Sequence, residues 1–238
     1  MEDFMQPDMG LKNIPDVIRE NMLKDDSGFP YAGMWIFSGQ QGSGKTLLMM
    51  HLVKQIHEQY PDALIVSNIS IYGIPSIPYQ GIEDFEKYKN GHKGVIFVID
   101  EIHILFNALE SAKMPLSTMQ VWAQNRKNRR LILGTSQRFN RVAKGVREQT
   151  TWNYECHRPI MMLIYSYRVL DGANYDDNGK YIVEDEDDKP RRHFYIPKVS
   201  VMRAYNTLEV VRRDELAAEP KEPPKPKQEV KKHGRYCK

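Results

Sequence analysis

Gly39, Gly44, Lys45 and Thr46 stand in the stretch "GQQGSGKT" at the spacing G-x-x-x-x-G-K-[ST]. Residues of these types at this spacing can hold a nucleoside triphosphate. Backbone N–H groups of the loop wrap the phosphates, the lysine reaches the terminal ones and the hydroxyl ligates magnesium. The candidate nucleotide-binding residues are therefore Gly39, Gln40, Gln41, Gly42, Ser43, Gly44, Lys45, Thr46 and Leu47. A side chain at Gly42 or Gly44 would block the approach or resist the positive φ of such a loop. Further on, "GVIFVIDE" ends in Asp100 and Glu101. Asp100 is the candidate partner of Thr46 in holding Mg2+, and Glu101 the candidate to polarise the attacking water. The plain alternative for the acidic pair is a helix cap.

Two further residues belong to the same chemistry. "RLILGTSQ" delivers Thr135, Ser136 and Gln137 to the end of a strand, where Gln137 can sense a γ-phosphate or orient water. Arg126, in "NRKNRR", is a candidate finger that stabilises transition-state charge in a neighbouring subunit; as a solvated helix end it would serve only its own dipole. No N-K-x-D motif for guanine is present, since "NRKN" does not match it and lacks the final aspartate. The expected ligands are ATP and Mg2+. His103 makes "DEIH", similar to a helicase box, but helicases of that class need a second motor domain for which this chain has no room.

These groups must be positioned by a particular order of elements. "GMWIFSG" reads as a buried strand and "TLLMMHLVKQIHEQY" as a helix with apolar residues at Leu47, Leu48, Leu52, Val53 and Ile56. "ALIVSNIS" and "GVIFVIDE" are strands whose unbroken apolar character requires cover on both faces. A short helix is expected in "IEDFEKYKNG", a longer one in "MPLSTMQVWAQNRKN", and further strands in "RLILGTSQ", "TWNYECH" and "MMLIYSYRV". A hydrophilic excursion then precedes "HFYIPKVS". Alternating strands and helices predict an α/β fold with a mostly parallel sheet and helices on both faces, and the late strands with the hydrophilic excursion add antiparallel edge strands; with the phosphate-loop motif, the expected fold class is a RecA-like P-loop NTPase.

The predicted organisation is an N-terminal arm over 1–30, an ATPase domain over 31–216 and a disordered basic Pro/Lys-rich tail over 217–238. The chain has 238 residues, 41% hydrophobic and 27% charged, with a formal net charge of +3, ordinary values for a soluble globular protein. The apolar run "IMMLIY" is far short of the roughly 20 residues of a bilayer-spanning helix. No signal-peptide pattern precedes the core, and two cysteines make no disulfide framework. The expected setting is cytoplasmic, without an integral membrane segment. Basic residues concentrate in "NRKNRR", in "RFNRVAKGVR" and in the tail.

Taken together, "GQQGSGKT", "VIFVIDEIH", the helix ending "NRKNRR" and "LILGTSQRFNRVAKGVREQTTWNYECHR" resemble the zonula occludens toxin-like ATPases, relatives of the assembly ATPase of filamentous phages. More distantly they resemble the FtsK–HerA motors, including viral genome-packaging ATPases. In that group a strand ending in Thr-x-Gln is followed by a stretch ending in a basic residue and then by a strand, as with Gln137, Arg147 and "TWNYECH"; "AYNTLE" resembles the Tyr-x-Thr ending of the toxin-like domain. The resemblance implies a homo-oligomeric ring, a hexamer by family, that moves or packages DNA. It also implies capsid or assembly proteins as partners. Filamentous-phage members carry a membrane-spanning segment after the ATPase domain, where this chain has its basic tail. An assembly ATPase acting on coat proteins at a membrane stays open as the alternative, and so does a small-molecule kinase.

Overall fold

The computed structural model describes residues 28–106, 124–160, 164–183 and 190–205. An eight-stranded sheet forms its centre, in the order β3-β2-β4-β5-β1-β6-β7-β8. The strands are β1 (Gly33–Ser38), β2 (Leu64–Ser67), β3 (Ile77–Pro78), β4 (Val95–Ile99), β5 (Arg130–Ser136), β6 (Thr150–Ile160), β7 (Ile164–Asp171) and β8 (Arg192–Tyr195). From β3 to β6 every pairing is parallel, and β6–β7 and β7–β8 are antiparallel. This is the expected RecA-like P-loop fold, antiparallel edge included. Pro78 is tolerated in the two-residue strand β3 because β3 is an edge of the sheet.

The helices are α1 (Lys45–Gln59), α2 (Asp84–Lys87), α3 (Ile102–Leu105), α4 (Lys144–Glu148) and α5 (Val199–Met202). Period-two alternation along the central strands sends side chains into two cores. Trp35, Phe37, Ile96, Val98, Leu131 and Leu133 pack with α1 residues such as Leu48, Val53 and Ile56. Met34, Ile36, Val95, Phe97, Ile99 and Ile132 pack on the other face with Phe85, Ile102 and Val146. Both faces of β1, β4 and β5 are thereby shielded, which is why these strands carry no alternation in their sequence.

Because β1, β2, β4 and β5 run parallel, their C-terminal ends lie along one edge of the sheet. Ser38, Ser67, Ile99 and Ser136 end these strands there, so the loops that follow them meet. The predicted helix "MPLSTMQVWAQNRKN" lies largely outside the described residues, as do most of the arm and the tail; Gln124–Arg129 form turns leading into β5.

"NRKNRR" divides on folding. Arg130 is 1% exposed, with its guanidinium 5.8 Å from the Phe97 ring centre, and Arg129 donates to the Phe29 carbonyl at 3.3 Å. Arg126 and Lys127 are exposed. The basic run is thus in part a structural element rather than one continuous surface. The reason is that Arg130 begins a central strand, where its stem must pack.

Candidate active site

The loop between β1 and α1 runs from Gly39 to Gly44. Gly44 occupies the position before the helix with φ 82 and ψ 21, and no side chain caps the first turn, which also carries no acidic residue. The first amides of α1 therefore lack side-chain partners and present the positive end of a 15-residue helix. An anion fits this arrangement. Within the loop, Ser43 N–H donates to the Gln40 carbonyl at 3.1 Å, and Lys45 Nζ donates to the same carbonyl at 3.1 Å. Ser43 Oγ is buried with no hydrogen-bond partner. A buried hydroxyl without a partner is costly, and a phosphate oxygen would satisfy it.

Directly beside this loop, Thr46 Oγ1 donates to Asp100 Oδ1 at 2.9 Å. Asp100 is fixed from two other sides. Thr135 Oγ1 donates to the same Oδ1 at 2.7 Å. Asn68, just past β2, closes a two-way clasp on the backbone: its Nδ2 donates to the Asp100 carbonyl at 2.9 Å and its Oδ1 accepts the Asp100 N–H at 2.7 Å. A hydroxyl and a carboxylate meeting in this way form a hard-oxygen pair suited to Mg2+.

Glu101 takes the left-handed conformation, φ 53 and ψ 47, turning the chain from β4 into α3. This costs a non-glycine residue on the order of 1–3 kcal/mol and recurs at functional sites. Thr135 helps hold it by accepting the Glu101 N–H at 2.8 Å. The Glu101 carboxylate Oε2 lies 3.2 Å from His103 Nδ1. Burial, and then the charge of Asp100, raises the Glu101 carboxyl above its ordinary range, opposed by Lys45 and Arg141. Burial, with Arg141 and Lys45, pushes the His103 imidazole down, so its neutral form is favoured. A carboxylate with raised proton affinity in a half-buried site has the properties of a proton acceptor.

The structure brings together the loop residues Gly39 to Leu47 with Asp100, Glu101 and the end of β5. Gln137 stands at that end, and its Oε1 accepts from Arg141 Nη1 at 3.0 Å. Arg126 is not brought in: it precedes β5, at the opposite end of the strand from Ser136. Arg147, singled out by the resemblance, bonds the Asn140 and Asp177 carbonyls at 3.1 and 2.7 Å and so ties α4 to the loop after β7. Sequence reasoning missed Asn68 and Arg141. The signal for Asn68 was a polar residue just beyond a fully apolar strand, in "LIVSN", at the end where ligands bind in parallel sheets.

Fold and site together define a P-loop ATPase. A family model of ATPases associated with various cellular activities (AAA) matches residues 35–155, and the chain belongs to that family. No curated protein matches it. The fold is similar to the N-terminal domain of zonular occludens toxin from Neisseria meningitidis, at TM-score 0.56 and 16% identity, covering 74% of this chain and 99% of that one. The DNA-packaging ATPase B204 from Sulfolobus turreted icosahedral virus matches at TM-score 0.46 and 12% identity, covering 70% of this chain and 98% of that one. Among the described residues no helix is long and apolar enough to cross a membrane.

Proposed function

We propose that this ATPase is the subunit of a ring-shaped motor that couples hydrolysis to moving DNA, and that its task is viral genome packaging. The hydrolytic part rests on one observation, the 2.9 Å contact between Thr46 and Asp100 beside the phosphate loop. In this reading the loop amides, Ser43 Oγ and Lys45 take the phosphates, with Lys45 leaving the Gln40 carbonyl. Thr46 and Asp100 hold Mg2+, which supplies charge for the phosphate oxygens. Glu101 accepts a proton from the attacking water, and Gln137, braced by Arg141, orients that water or the γ-phosphate. Arg126 precedes β5, at the end away from Ser136, and acts on a neighbour's site rather than its own. The resemblance of the stretch from Gln137 to "TWNYECH" to packaging motors supports DNA as the polymer.

Lys45→Ala removes ATP binding in calorimetry. Glu101→Gln retains binding while hydrolysis falls at least ~100-fold, the scale of a lost general base. For the motor, hydrolysis by a verified oligomer rises with added duplex DNA, and the stimulation fades as salt increases, because phosphate contacts release counterions. A rate indifferent to DNA across the salt series would exclude the DNA reading. Arg126→Ala protein regains activity when mixed with Glu101→Gln subunits that supply the arginine; no recovery removes the trans role.

A second reading, an assembly ATPase acting on coat proteins at a membrane, is favoured by the fold's likeness to the toxin domain. It predicts sedimentation with anionic liposomes, lost when the residues after Ala217 are removed.

A further inference from the structure

Glu101 stands at the start of α3 but does not cap it: its side chain bonds none of the helix's first amides, so the carboxylate is left to the site. Ile102 anchors the helix in the core at 0% exposure, and His103, the next residue around it, meets the acidic pair instead. Glu101 Oε2 and His103 Nδ1 are 3.2 Å apart, with side chains 27% and 14% exposed. Both atoms are buried, and neither forms a hydrogen bond. At so short a distance the proton must be out of line with its acceptor. Buried polar atoms without partners are rare in folded proteins, and catalytic hydrogen bonds are commonly misaligned before the substrate arrives and tighten in the complex.

The charges around the pair decide what each partner does. Burial, Arg141 and Lys45 keep the imidazole neutral, and a neutral ring carries its proton on one nitrogen only. Facing an ionised carboxylate, that nitrogen is Nδ1, because a bare Nδ1 would set lone pair against lone pair. The carboxylate is pulled in several directions: Asp100 repels it, while Lys45 and Arg141 attract it. A turn toward Lys45 would occupy the lysine that the phosphates need. Something must therefore hold the carboxylate in one orientation, and the His103 N–H is already within reach.

We infer that His103 is the positioning residue of this carboxylate: its Nδ1–H holds Glu101 Oε2 and leaves Oε1 to face the attacking water. This rests on the reading of Glu101 as the proton acceptor. As the water oxygen bonds the γ-phosphorus and the bond to ADP breaks, the water's proton passes to Oε1. His103 transfers no proton and touches no substrate; it acts through Glu101 alone. A base oriented by a third group recurs in sites that activate a nucleophile. Misplacement of such a group by about 1 Å can lower a rate by as much as ~100-fold.

The test compares His103→Asn, His103→Gln and His103→Leu in the full chain by steady-state hydrolysis and calorimetric ATP binding. An Asn amide nitrogen falls at the place of Nδ1 and a Gln amide nitrogen at that of Nε2, so only Asn keeps a donor for Glu101. His103→Asn is expected to hold kcat within about threefold of the parent. His103→Gln and His103→Leu are expected to lower it at least ~10-fold, with ATP affinity changed by less than about twofold. In a Glu101→Gln background the same two changes should lower the residual rate by less than about twofold, because residues acting as a unit are not additive. A further ~10-fold loss in that background, as a general loosening of the site would give, overturns the inference. So do equal losses in all three variants that fall on binding and hydrolysis alike. If His103→Leu does not fold, the Asn and Gln variants carry the comparison. A parental rate in His103→Gln beside a slow Glu101→Gln removes this inference alone, whereas a parental rate in Glu101→Gln removes the water-activation reading and this inference with it.

Discussion

Asp100 is held from three separate places in the chain: strand β5, the residue after β2, and helix α1. Thr135 bonds its carboxylate, Asn68 clasps its backbone, and Thr46 approaches from α1. The side-chain hydrogen bonds of Asn68 go to the Asp100 backbone, not to the phosphate loop or the Glu101 carboxylate, so its effect passes through the position of Asp100. Asn68→Ala is therefore expected to lower kcat by roughly 10-fold, the lower end for a group that orients a metal ligand. ATP affinity without added Mg2+ should change by less than about twofold, since the loop amides are untouched. Steady-state hydrolysis and metal-free binding separate the two effects. A loss shared equally between them would mean that Asn68 supports the whole loop instead.

At the scale of elements, the junction between β1 and α1 depends on how closely other strands approach it. Gly44 has φ 82, and a Cβ there would meet the Tyr165 ring at 2.5 Å, with the Tyr195 hydroxyl 3.4 Å away. The antiparallel extension thus reaches over the phosphate loop, with Tyr195 also donating to the Gly44 carbonyl at 3.4 Å. Gly44→Ala imposes both a left-handed backbone and a steric conflict, and a loss of about 1–3 kcal/mol is expected. Urea unfolding monitored by circular dichroism reads it as a lower midpoint with an unchanged slope. By contrast, Gly42→Ala meets nothing within 4 Å and bears the backbone strain alone, φ 77, so it should cost less. Equal losses would show that the tyrosine wall yields freely.

For the whole molecule, buried phenols set the response to alkali. Tyr31, Tyr79, Tyr154, Tyr167 and Tyr195 are all raised above the ordinary phenol range, burial being the largest cause in each. Burial likewise pushes the Cys156 thiol up to about 12. A raised folded-state pKa means that the folded chain keeps a proton which the unfolded chain releases. Stability from these groups is therefore complete below about pH 8; as pH rises, the thiol's share is lost from its ordinary value near 9 and the phenols' share from theirs near 10. Each such phenol contributes on the order of 1 kcal/mol per pH unit in that window. The urea midpoint should be flat between pH 7.5 and 8.5 and fall by at least ~1 M by pH 11. A flat midpoint to pH 11 would mean that these phenols ionise inside the fold.

What the sequence determined by itself was local. The spacing from Gly39 to Thr46, the apolar runs of β1 and β4, and the acidic pair ending "VIFVIDE" specify a phosphate loop and its companion strand, because both motifs are set by neighbours along the chain. Alternation of strands and helices likewise determined a mostly parallel sheet, and the late strands with their hydrophilic excursion an antiparallel edge. Tertiary structure alone decided which distant residues close on these motifs. Asn68 and Thr135 reach Asp100 because β2, β4 and β5 lie side by side. It also buried Arg130 out of a run that reads as uniformly basic, and turned Asn153 and Glu155 toward one cavity. Strand order and burial are properties of the packed sheet, formed by contacts between residues far apart in sequence, and no short pattern encodes them.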